Sequence, residues 1–411
     1  MEKPGKQNLH TLLQINSVVN YGSTGRIAEE IGVLAIERGW DSFIAYGRKA
    51  RLSKSKLIKI GSGLDIQYHG LATRLFDMHG FASVNATKQL LRKVEEIKPD
   101  LIHLHNLHGY YLNIRLLFNY LATINIPVVW TLHDCWAMTG HCTNFESINC
   151  LKWLVECNNC PQKKIYPASY FLDRSKGNYY DKKELFTSLK RLTIVTVSKW
   201  LSNILKQSYL SEYPFIVINN GINTDIFKPT QVNEIIIKHR LDRKFIVLGV
   251  ASNWTPNKGF NDFIQLSKQL GSDFQIILVG LSLTQIRKIP KNIIGITRTN
   301  STQELVKYYS GSDVFLNPTY EESFSTTNLE AVACGTPVIT YNAGGSTESI
   351  IPETGIIVPK GDITRLIKAI DTVRERGKSY YSQKCFEHSR LFYNKNDRFD
   401  EYLRLYNRII L

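Results

Sequence analysis

Two glutamates in the second half of the chain could accept hydrogen bonds from the hydroxyl groups of a sugar or a nucleotide. Glu322 and Glu330 are eight positions apart, and a short apolar strand, Val314–Asn317, is predicted just before them. A helix predicted to begin near Thr326 would place Glu322 in the loop and Glu330 near the first helical turn. The opening amides of such a helix can bind a diphosphate. The alternative is that both glutamates are ordinary surface residues.

Two further segments could approach an anion. Lys258 follows the predicted strand Phe245–Val250 and precedes a glycine, so it could neutralise phosphate, or it could be a solvated lysine at a helix start. Gly22 and Gly25 follow the first predicted strand, residues 12–15. Glycines allow the backbone to come close to a ligand, although a G-x-x-G segment is also typical of a simple tight turn.

Histidines cluster at the predicted ends of two strands in the first half. His133 and Asp134 end the strand predicted at residues 127–132, where we expect them to line a ligand cleft. His103, His105 and His108 form a second cluster, at the end of an earlier predicted strand. Because side chains alternate between the two faces of a strand, His103 and His105 are expected on the same face. Because no carboxylate stands at ligand spacing, cleft lining or plain packing is favoured over a metal site there.

Four of the seven cysteines lie close together in the sequence, at Cys142, Cys150, Cys157 and Cys160. The C-x-x-C pair with two more thiols is compatible with a closed, structural four-thiolate zinc site. The alternative is a set of reduced, buried cysteines that pack a long loop.

The elements that would position these residues alternate along the chain. Short apolar runs separated by helical segments predict parallel sheets with helices on both faces. The pattern restarts after Asn220, which predicts two doubly wound α/β domains facing each other across a cleft. The predicted boundaries are an N-terminal domain at 1–222 with a cysteine-rich excursion at 139–161, a linker at 223–243, a C-terminal domain at 244–395, and a helix at 396–411 that returns to the first domain.

Composition limits the class of protein. The 411 residues are 43% hydrophobic and 21% charged, as in globular proteins, with no apolar run long enough to span a bilayer and no apolar N-terminal signal. We therefore expect a cytoplasmic protein. The net charge of +15 indicates attraction to phosphorylated ligands or to an anionic inner-membrane surface. Nucleic acid is disfavoured because the basic residues are not interleaved with aromatic ones.

The segment around the two glutamates resembles the signature of the family 4 retaining glycosyltransferases. It is similar to Y-E-G-F-G-x-x-x-L-E-A-M-A-C-G-T-P-V, and a G-G-x-x-E segment follows at residues 344–348. The cysteine segment, after His133-Asp134-Cys135-Trp136, is similar to colanic-acid and exopolysaccharide transferases. The signature is matched at Tyr320, Glu322, Phe324, Leu329, Glu330, Ala331, Ala333, Cys334, Gly335, Thr336, Pro337 and Val338.

The resemblance implies the GT-B fold and specific roles. Glu330 would hold the donor ribose, Glu322 would contact the transferred sugar, and His133 would lie beside that sugar. Asn253 stands where the family has an arginine, so neutralisation of the diphosphate would depend on Lys258 and helix amides, with help from Arg26 or Arg298. The implied catalytic residues are His133, Lys258 and Glu322, and the implied donor contacts are Gly22, Gly25, Asn253, Lys258, Ser323, Phe324, Ser325, Thr326, Thr327 and Glu330.

The function implied is retaining hexosyl transfer, without a catalytic metal, from a nucleotide-diphosphate sugar. The acceptor would be a glycan or an undecaprenyl-linked oligosaccharide in O-antigen, capsule or exopolysaccharide biosynthesis. No Asp-x-Asp triplet, the metal-holding motif of GT-A transferases, occurs in the chain. The alternatives are a sugar-nucleotide epimerase or phosphorylase on the same scaffold, and an inactive homologue.

Overall fold

The structure is a computed structural model, and it describes residues 10–231, 237–239, 241 and 243–410. Contacts between Cα atoms divide the chain into two compact units. The first contains the described residues up to Ile218 together with those from Phe399 onwards, and the second is Asn219–Arg398.

The first unit is built on a seven-stranded sheet whose hydrogen-bonded pairs are all parallel. Its central strands are buried and mostly apolar, as expected of strands covered by helices on both faces. The strands are β1 (Thr11–Asn16), β2 (Asp41–Tyr46), β3 (Lys56–Lys59), β4 (Leu101–Leu104), β5 (Val128–Leu132), β6 (Leu192–Thr196) and β7 (Phe215–Val217). Their order is β3-β2-β1-β4-β5-β6-β7.

Helices connect most of these strands. They are α1 (Gly22–Glu37), α2 (Gly63–Phe76), α3 (Val84–Ile97), α4 (Ile114–Thr123), α5 (Ser175–Phe186) and α6 (Lys199–Leu205). Short 3-10 turns occupy the cysteine-rich excursion between β5 and α5. The glycine segment predicted as a turn before the first helix was placed wrongly, because α1 already begins at Gly22.

The second unit repeats the plan with six parallel strands. They are β8 (Phe245–Val250), β9 (Phe274–Val279), β10 (Ile293–Ile296), β11 (Val314–Asn317), β12 (Val338–Tyr341) and β13 (Gly355–Val358). Their order is β10-β9-β8-β11-β12-β13. The helices are α7 (Phe260–Gln269), α8 (Leu283–Ile286), α9 (Thr302–Gly311), α10 (Thr326–Ala333), α11 (Ile363–Arg376) and α12 (Lys378–Phe392). The two doubly wound sheets confirm the predicted fold class.

The segment predicted as a linker, residues 223–243, falls within the second unit. Phe227 is buried there and packs against the ring of Tyr309. Residues 232–236, 240 and 242 of this segment lie outside the described residues. None of the helices in the described part of the chain combines the length and the apolar composition needed to cross a bilayer.

The last helix, α13 (Lys395–Ile410), contributes to the core of the first unit from Phe399 onwards. Leu403 and Tyr406 are buried in one apolar cluster with Leu12 and Val129 of the sheet. The hydroxyl of Tyr406 also lies 2.6 Å from Nδ1 of His103. The C-terminal residues therefore complete the core of the unit that contains the N-terminal strand.

We predict that Leu403→Ala lowers the free energy of unfolding of the first unit by about 2–5 kcal/mol, because it leaves a cavity in this cluster. The control, Leu391→Ala, removes a leucine that is 70% exposed on α12 and should change stability by less than about 0.5 kcal/mol. Urea unfolding followed by tryptophan fluorescence measures this, because five of the six tryptophans belong to the first unit. Equal midpoints for the two variants would contradict the packing role of α13.

Candidate active site

Three loops meet at the carboxyl edge of the sheet in the second unit. They follow β8, β11 and β12, which are adjacent strands, and the chain order reverses between β8 and β11. The amide of Tyr320 donates to the carbonyl of Asn257 at 2.8 Å, and the amide of Gly345 donates to the carbonyl of Glu322 at 2.8 Å. The loop after β11 is thus hydrogen-bonded to the loops on both sides. Such a reversal at the carboxyl edge is where open α/β sheets bind ligands.

Lys258 and Glu322 form an ion pair across two of these loops. The Lys258 Nζ lies 2.7 Å from Glu322 Oε2, and the side chains remain 38% and 22% exposed. Lys258 is held by the sharp turn at Gly259, where φ is +74° and a Cβ would overlap the carbonyl oxygen of Pro318. The pair is accessible, so an incoming anion can share the ammonium group with the carboxylate.

Glu330 lies near the start of α10, and its side chain is buried. It is the fifth residue of the helix, directly after the first turn, and it is only 3% exposed. The hydroxyl of Tyr309, at the end of α9, donates to Glu330 Oε2 at 2.8 Å. Replacement by alanine would remove the acceptor of this hydroxyl, so Glu330→Gln is a better probe of ligand binding than Glu330→Ala.

The start of α10 is fixed by a buried amide network. Ser325 is the N-cap, and its Oγ accepts from the amide of Asn328 at 3.3 Å. Asn317, the last residue of β11, donates from Nδ2 to Ser325 Oγ at 3.0 Å and to Asn328 Oδ1 at 2.8 Å. The amides of Thr326 and Thr327 belong to the first helical turn and have no acceptor within the helix. These hydrogen bonds therefore hold the first turn of α10 in place, directly after the loop that contains Glu322, the ion-pair partner of Lys258.

Asp262 fastens the same region from the first turn of α7. Its Oδ1 accepts hydrogen bonds from the hydroxyls of Tyr320 at 3.0 Å and Tyr341 at 2.6 Å, and the side chain is 5% exposed. Burial raises the pKa of Tyr320 to about 12, and the adjacent carboxylate acts in the same direction. Both phenols therefore remain protonated donors at neutral pH. Sequence reasoning missed Asp262, Tyr309 and Asn317 because their partners are distant along the chain.

The other predicted phosphate contacts of the second unit lie at its surface. Asn253 is exposed in the loop after β8. Arg298 is exposed just beyond the edge strand β10, which β9 separates from β8. The structure therefore brings Lys258, Glu322 and the α10 turn together, and it leaves Arg298 at the edge of the sheet.

In the first unit, the glycine segment is the opening turn of α1, directly after the central strand β1. A Cβ on Gly25 would lie 3.0 Å from Val18 Cγ2, so this residue is closely packed. Arg26 is exposed and donates from Nε to the carbonyl of Gly22 at 3.2 Å. β1 and β4 are the adjacent strands at which the strand order of this sheet reverses.

His133 ends a hydrogen-bonded chain that determines its tautomer. Gln14 donates from Nε2 to the carbonyl of Ala28 at 2.8 Å, so its Oε1 faces His105 Nε2 at 3.0 Å. His105 Nε2 is then the donor, and its Nδ1, 3.2 Å from His133 Nε2, is the acceptor. Burial lowers the pKa of His133 to about 4, so the ring is neutral at pH 7. His133 therefore carries its proton on Nε2 and keeps Nδ1 as an acceptor.

The other histidines of the cluster are held by hydrogen bonds. His103 is fully buried between Thr131, whose Oγ1 lies 2.8 Å away, and Tyr406. His108 lies 2.7 Å from Asp134 Oδ2, while the amide of Trp136 donates to Asp134 Oδ1 at 2.9 Å. Burial alone would raise the pKa of Asp134, but His108 and the Trp136 amide lower it overall. His103 is thus packed in the core, whereas His105 and His108 line the same small pocket as His133.

The four clustered cysteines come together in three dimensions. All are reduced, and all line one cavity of the excursion. Among the described residues, no three or more histidine, cysteine or acidic side chains already stand in an arrangement that could hold a metal ion. The zinc site stays a prediction here.

Comparison with known proteins gives concordant matches. The profile described as Glycosyltransferase Family 4 matches residues 27–226, and the one described as Glycosyl transferases group 1 matches residues 231–384. The putative colanic acid biosynthesis glycosyl transferase WcaC of Escherichia coli K12 is 21% identical over 97% of this chain and 100% of its own length. The capsular polysaccharide biosynthesis glycosyltransferase CapM of Staphylococcus aureus is 28% identical over 43% of this chain and 51% of its own.

Solved structures share the fold over nearly the whole chain. A sucrose-phosphate synthase from Thermosynechococcus elongatus superposes with a TM-score of 0.74 at 17% identity, covering 97% of this chain and 99% of that one. HepE from Anabaena, in complex with UDP and glucose, superposes with a TM-score of 0.69 at 14% identity, covering 96% and 98%.

We predict that the first unit loses stability as the pH falls from 6.5 to 5. Burial lowers the pKa of His69 to about 4, from about 6.5 in an unfolded chain. The unfolded state therefore binds more protons in this range, and acid favours it by roughly 2 kcal/mol for such a histidine at pH 5. Urea unfolding at several pH values measures the slope.

The test of this pH dependence is the slope and not the absolute stability. His69→Gln should make the free energy of unfolding less dependent on pH, because one proton fewer is taken up on unfolding. This change in slope is expected even if the variant is less stable at every pH. A wild-type profile that is flat between pH 6.5 and 5 would contradict the prediction.

Proposed function

The chain belongs to the glycosyltransferases of the GT-B fold, and from this premise we propose that it is a retaining hexosyltransferase acting on a lipid-linked glycan. Its donor is a nucleoside-diphosphate sugar, and its product enters a bacterial surface polysaccharide. The observation that carries the proposal is the accessible Lys258–Glu322 pair, located beside the first turn of α10 where the strand order of the second unit reverses.

The donor diphosphate binds at this edge. Lys258 turns from Glu322 to the phosphates, and the amides of Thr326 and Thr327 supply further donors. Glu322, released from the lysine, then accepts hydrogen bonds from sugar hydroxyls. Glu330, buried against Tyr309, binds the ribose. Asn253 leaves the site with one cation fewer than the family pattern, so Lys258 bears more of the charge.

In the proposed chemistry, the acceptor oxygen attacks the anomeric carbon of the donor sugar from the same face from which the diphosphate leaves. The bond from the anomeric carbon to the diphosphate oxygen breaks, the bond to the acceptor oxygen forms on the same side, and the acceptor proton passes to the diphosphate. Lys258 and the helix amides stabilise the charge that develops on the leaving group. The support for retention is the resemblance of the segment around Glu322 and Glu330 to the signature of retaining enzymes. Catalysis by this route requires no metal ion.

His133 remains a predicted contact of the transferred sugar. Its Nδ1 lone pair would accept a hydrogen bond from a hydroxyl group, because the chain from Gln14 fixes the proton on Nε2. Gly22 and Gly25 remain predicted contacts through the backbone of α1's first turn. These roles rest on the family resemblance.

The names of relatives support the proposed acceptor class. One of them is an N,N′-diacetylbacillosaminyl-diphospho-undecaprenol α-1,3-N-acetylgalactosaminyltransferase of Campylobacter jejuni, 26% identical over 53% of this chain and 60% of its own length. Others act in colanic acid and capsule synthesis by their names. An acceptor with a polyprenyl diphosphate anchor would bring this protein to the inner face of the membrane.

A surface of the first unit fits that location. Leu64, Tyr68 and Leu71 occupy one exposed face of α2 at helical spacing. The segment Tyr170-Phe171-Leu172 lies beside the end of this helix, because its amides donate to the carbonyls of residues 74 and 75. These six side chains, which we call the apolar face, are each more than half exposed. Arg74 is exposed at the end of α2, so the face has a basic group beside its apolar ones, as membrane-surface segments do.

We predict that Lys258→Ala weakens binding of the preferred nucleoside diphosphate ten- to a hundredfold. This change in affinity corresponds to the loss of one charge-assisted contact, which is worth about 1.5–3 kcal/mol. Thermal unfolding with UDP, GDP and ADP identifies the nucleotide, since a ligand raises the melting temperature according to its affinity. Transfer should then fall by about 10²–10³. Lys268→Ala, at an exposed lysine of α7, is the matched control. Wild-type-like stabilisation or transfer in Lys258→Ala would refute the proposed donor site.

We also predict that the apolar face binds anionic membranes. Tyr68→Ser combined with Phe171→Ser should reduce co-sedimentation with phosphatidylglycerol vesicles at least about tenfold, because two aromatic side chains no longer enter the lipid. Leu391→Ser combined with Phe392→Ser removes two similarly exposed side chains from the second unit and should change nothing. Wild-type binding should weaken as salt is added. Equal co-sedimentation of the two double variants would contradict the proposal that the apolar face binds membranes.

A further inference from the structure

A cavity of about 20 Å³ lies inside the cysteine-rich excursion of the first unit. Its lining includes Cys142, Cys150, Cys157, Cys160 and His141. The thiol of Cys142 donates a hydrogen bond to the sulfur of Cys160, and Cys157 lies within electrostatic range of both. A space of this size accommodates one particle as large as a water molecule. Four thiols and an imidazole thus line a space suited to a single ion.

His141 has one ring nitrogen engaged and one without a partner. Its Nδ1 lies 2.6 Å from Asp77 Oδ1, and both side chains are almost completely inaccessible to solvent. Its Nε2 is buried and has no hydrogen-bond partner. Leaving a buried polar atom unpaired costs about 1–3 kcal/mol, so the unpaired nitrogen calls for an explanation. Because His141 also lines the cavity, a ligand bound there would supply that partner.

The Asp77–His141 pair has the arrangement found behind metal-binding histidines. Such a histidine usually donates its second ring N–H to a carboxylate, which fixes the tautomer and orients the ring. Asp77 is itself held in place, since the amide of Arg174 donates to its Oδ2 at 2.9 Å and Asn178 Nδ2 donates to its carbonyl at 2.8 Å. With the proton on Nδ1, Nε2 presents its lone pair as a ligand.

We propose that this cavity binds one zinc ion through Cys142, Cys157, Cys160 and His141. The set differs from the four thiolates expected from the sequence, because His141 Nε2 replaces Cys150. Zinc with three thiolates and a neutral imidazole is tetrahedral and closed to water, as in structural sites. Such a site stabilises the fold and takes no part in sugar transfer.

A buried basic residue lies close to the cavity. Lys182 of α5 is fully buried and donates from Nζ to the carbonyls of Trp136 at 2.9 Å and Thr139 at 3.0 Å. These two bonds hold Lys182 against the segment that leads from β5 into the excursion.

Binding requires small side-chain movements. Among the described residues the ligand atoms do not yet surround one point at metal-binding geometry. The hydrogen bond between Cys142 and Cys160 holds those sulfurs together instead. Release of their protons and rotation about χ1 would turn the sulfurs towards the cavity, where zinc–sulfur distances are about 2.3 Å.

The test uses the full chain, purified without chelators, and measures zinc content and the spectrum of the cobalt-substituted protein. We expect one equivalent of zinc per chain and cobalt charge-transfer bands with the intensity of three thiolates. A wild-type protein that contains no zinc and shows no such bands on cobalt addition would overturn the proposal. Neither measurement depends on transferase activity, so the outcome is separate from that of the proposed function.

The ligand set is tested by single replacements. His141→Gln and Cys157→Ser should lower metal affinity by at least about tenfold, while Cys150→Ser should keep full metal content and the wild-type cobalt spectrum. Cys334→Ser, at a buried free thiol of the second unit, is the control. If Cys150→Ser loses the metal and His141→Gln keeps it, the site has four thiolates and the assignment of His141 is wrong. The wild-type cobalt intensity decides the same point should a variant fail to fold.

Discussion

The site depends on the order of three parallel strands. Because β8, β11 and β12 are neighbours and run in one direction, all three loops leave the sheet at the same edge. Glu322 contacts the loops on both sides: its carboxylate forms an ion pair with Lys258, and its backbone carbonyl accepts a hydrogen bond from the amide of Gly345. Residues more than sixty positions apart therefore share one ion pair. A strand order that moved β8 away from β11 would separate Lys258 from Glu322 and from the start of α10.

The same rule organises the first unit with different chemistry. The reversal between β1 and β4 brings Gln14 beside His105, and β5 brings His133 to the end of the chain. Burial keeps these imidazoles neutral, so hydrogen bonds and not charge determine which nitrogen carries the proton. A neutral ring with a fixed tautomer can distinguish a donor from an acceptor on a ligand, whereas a charged ring offers only donors.

The proposed zinc site and the apolar face are linked by a short piece of chain. The amide of Cys160 donates to Asp173 Oδ2 at 2.8 Å, and the amide of Lys163 donates to the carbonyl of Cys160 at 3.1 Å. The segment between Cys160 and Asp173 is thus a closed loop that carries half of the apolar face. An ion bound at Cys160 would hold the base of this loop. A rigid base lets exposed aromatic side chains enter a lipid surface without the entropy cost of ordering the loop.

The sequence by itself determined the class of fold, the family and the residues around Glu322, because strand and helix periods and short motifs are local properties of the chain. It also located the cysteine segment. The tertiary structure alone decided that α1 begins at Gly22, that Glu330 is buried against Tyr309, and that His141 is paired with Asp77. The last two depend on residues distant in sequence, and whether a buried polar atom is satisfied or left unpaired is settled only when the packed core brings its partners together.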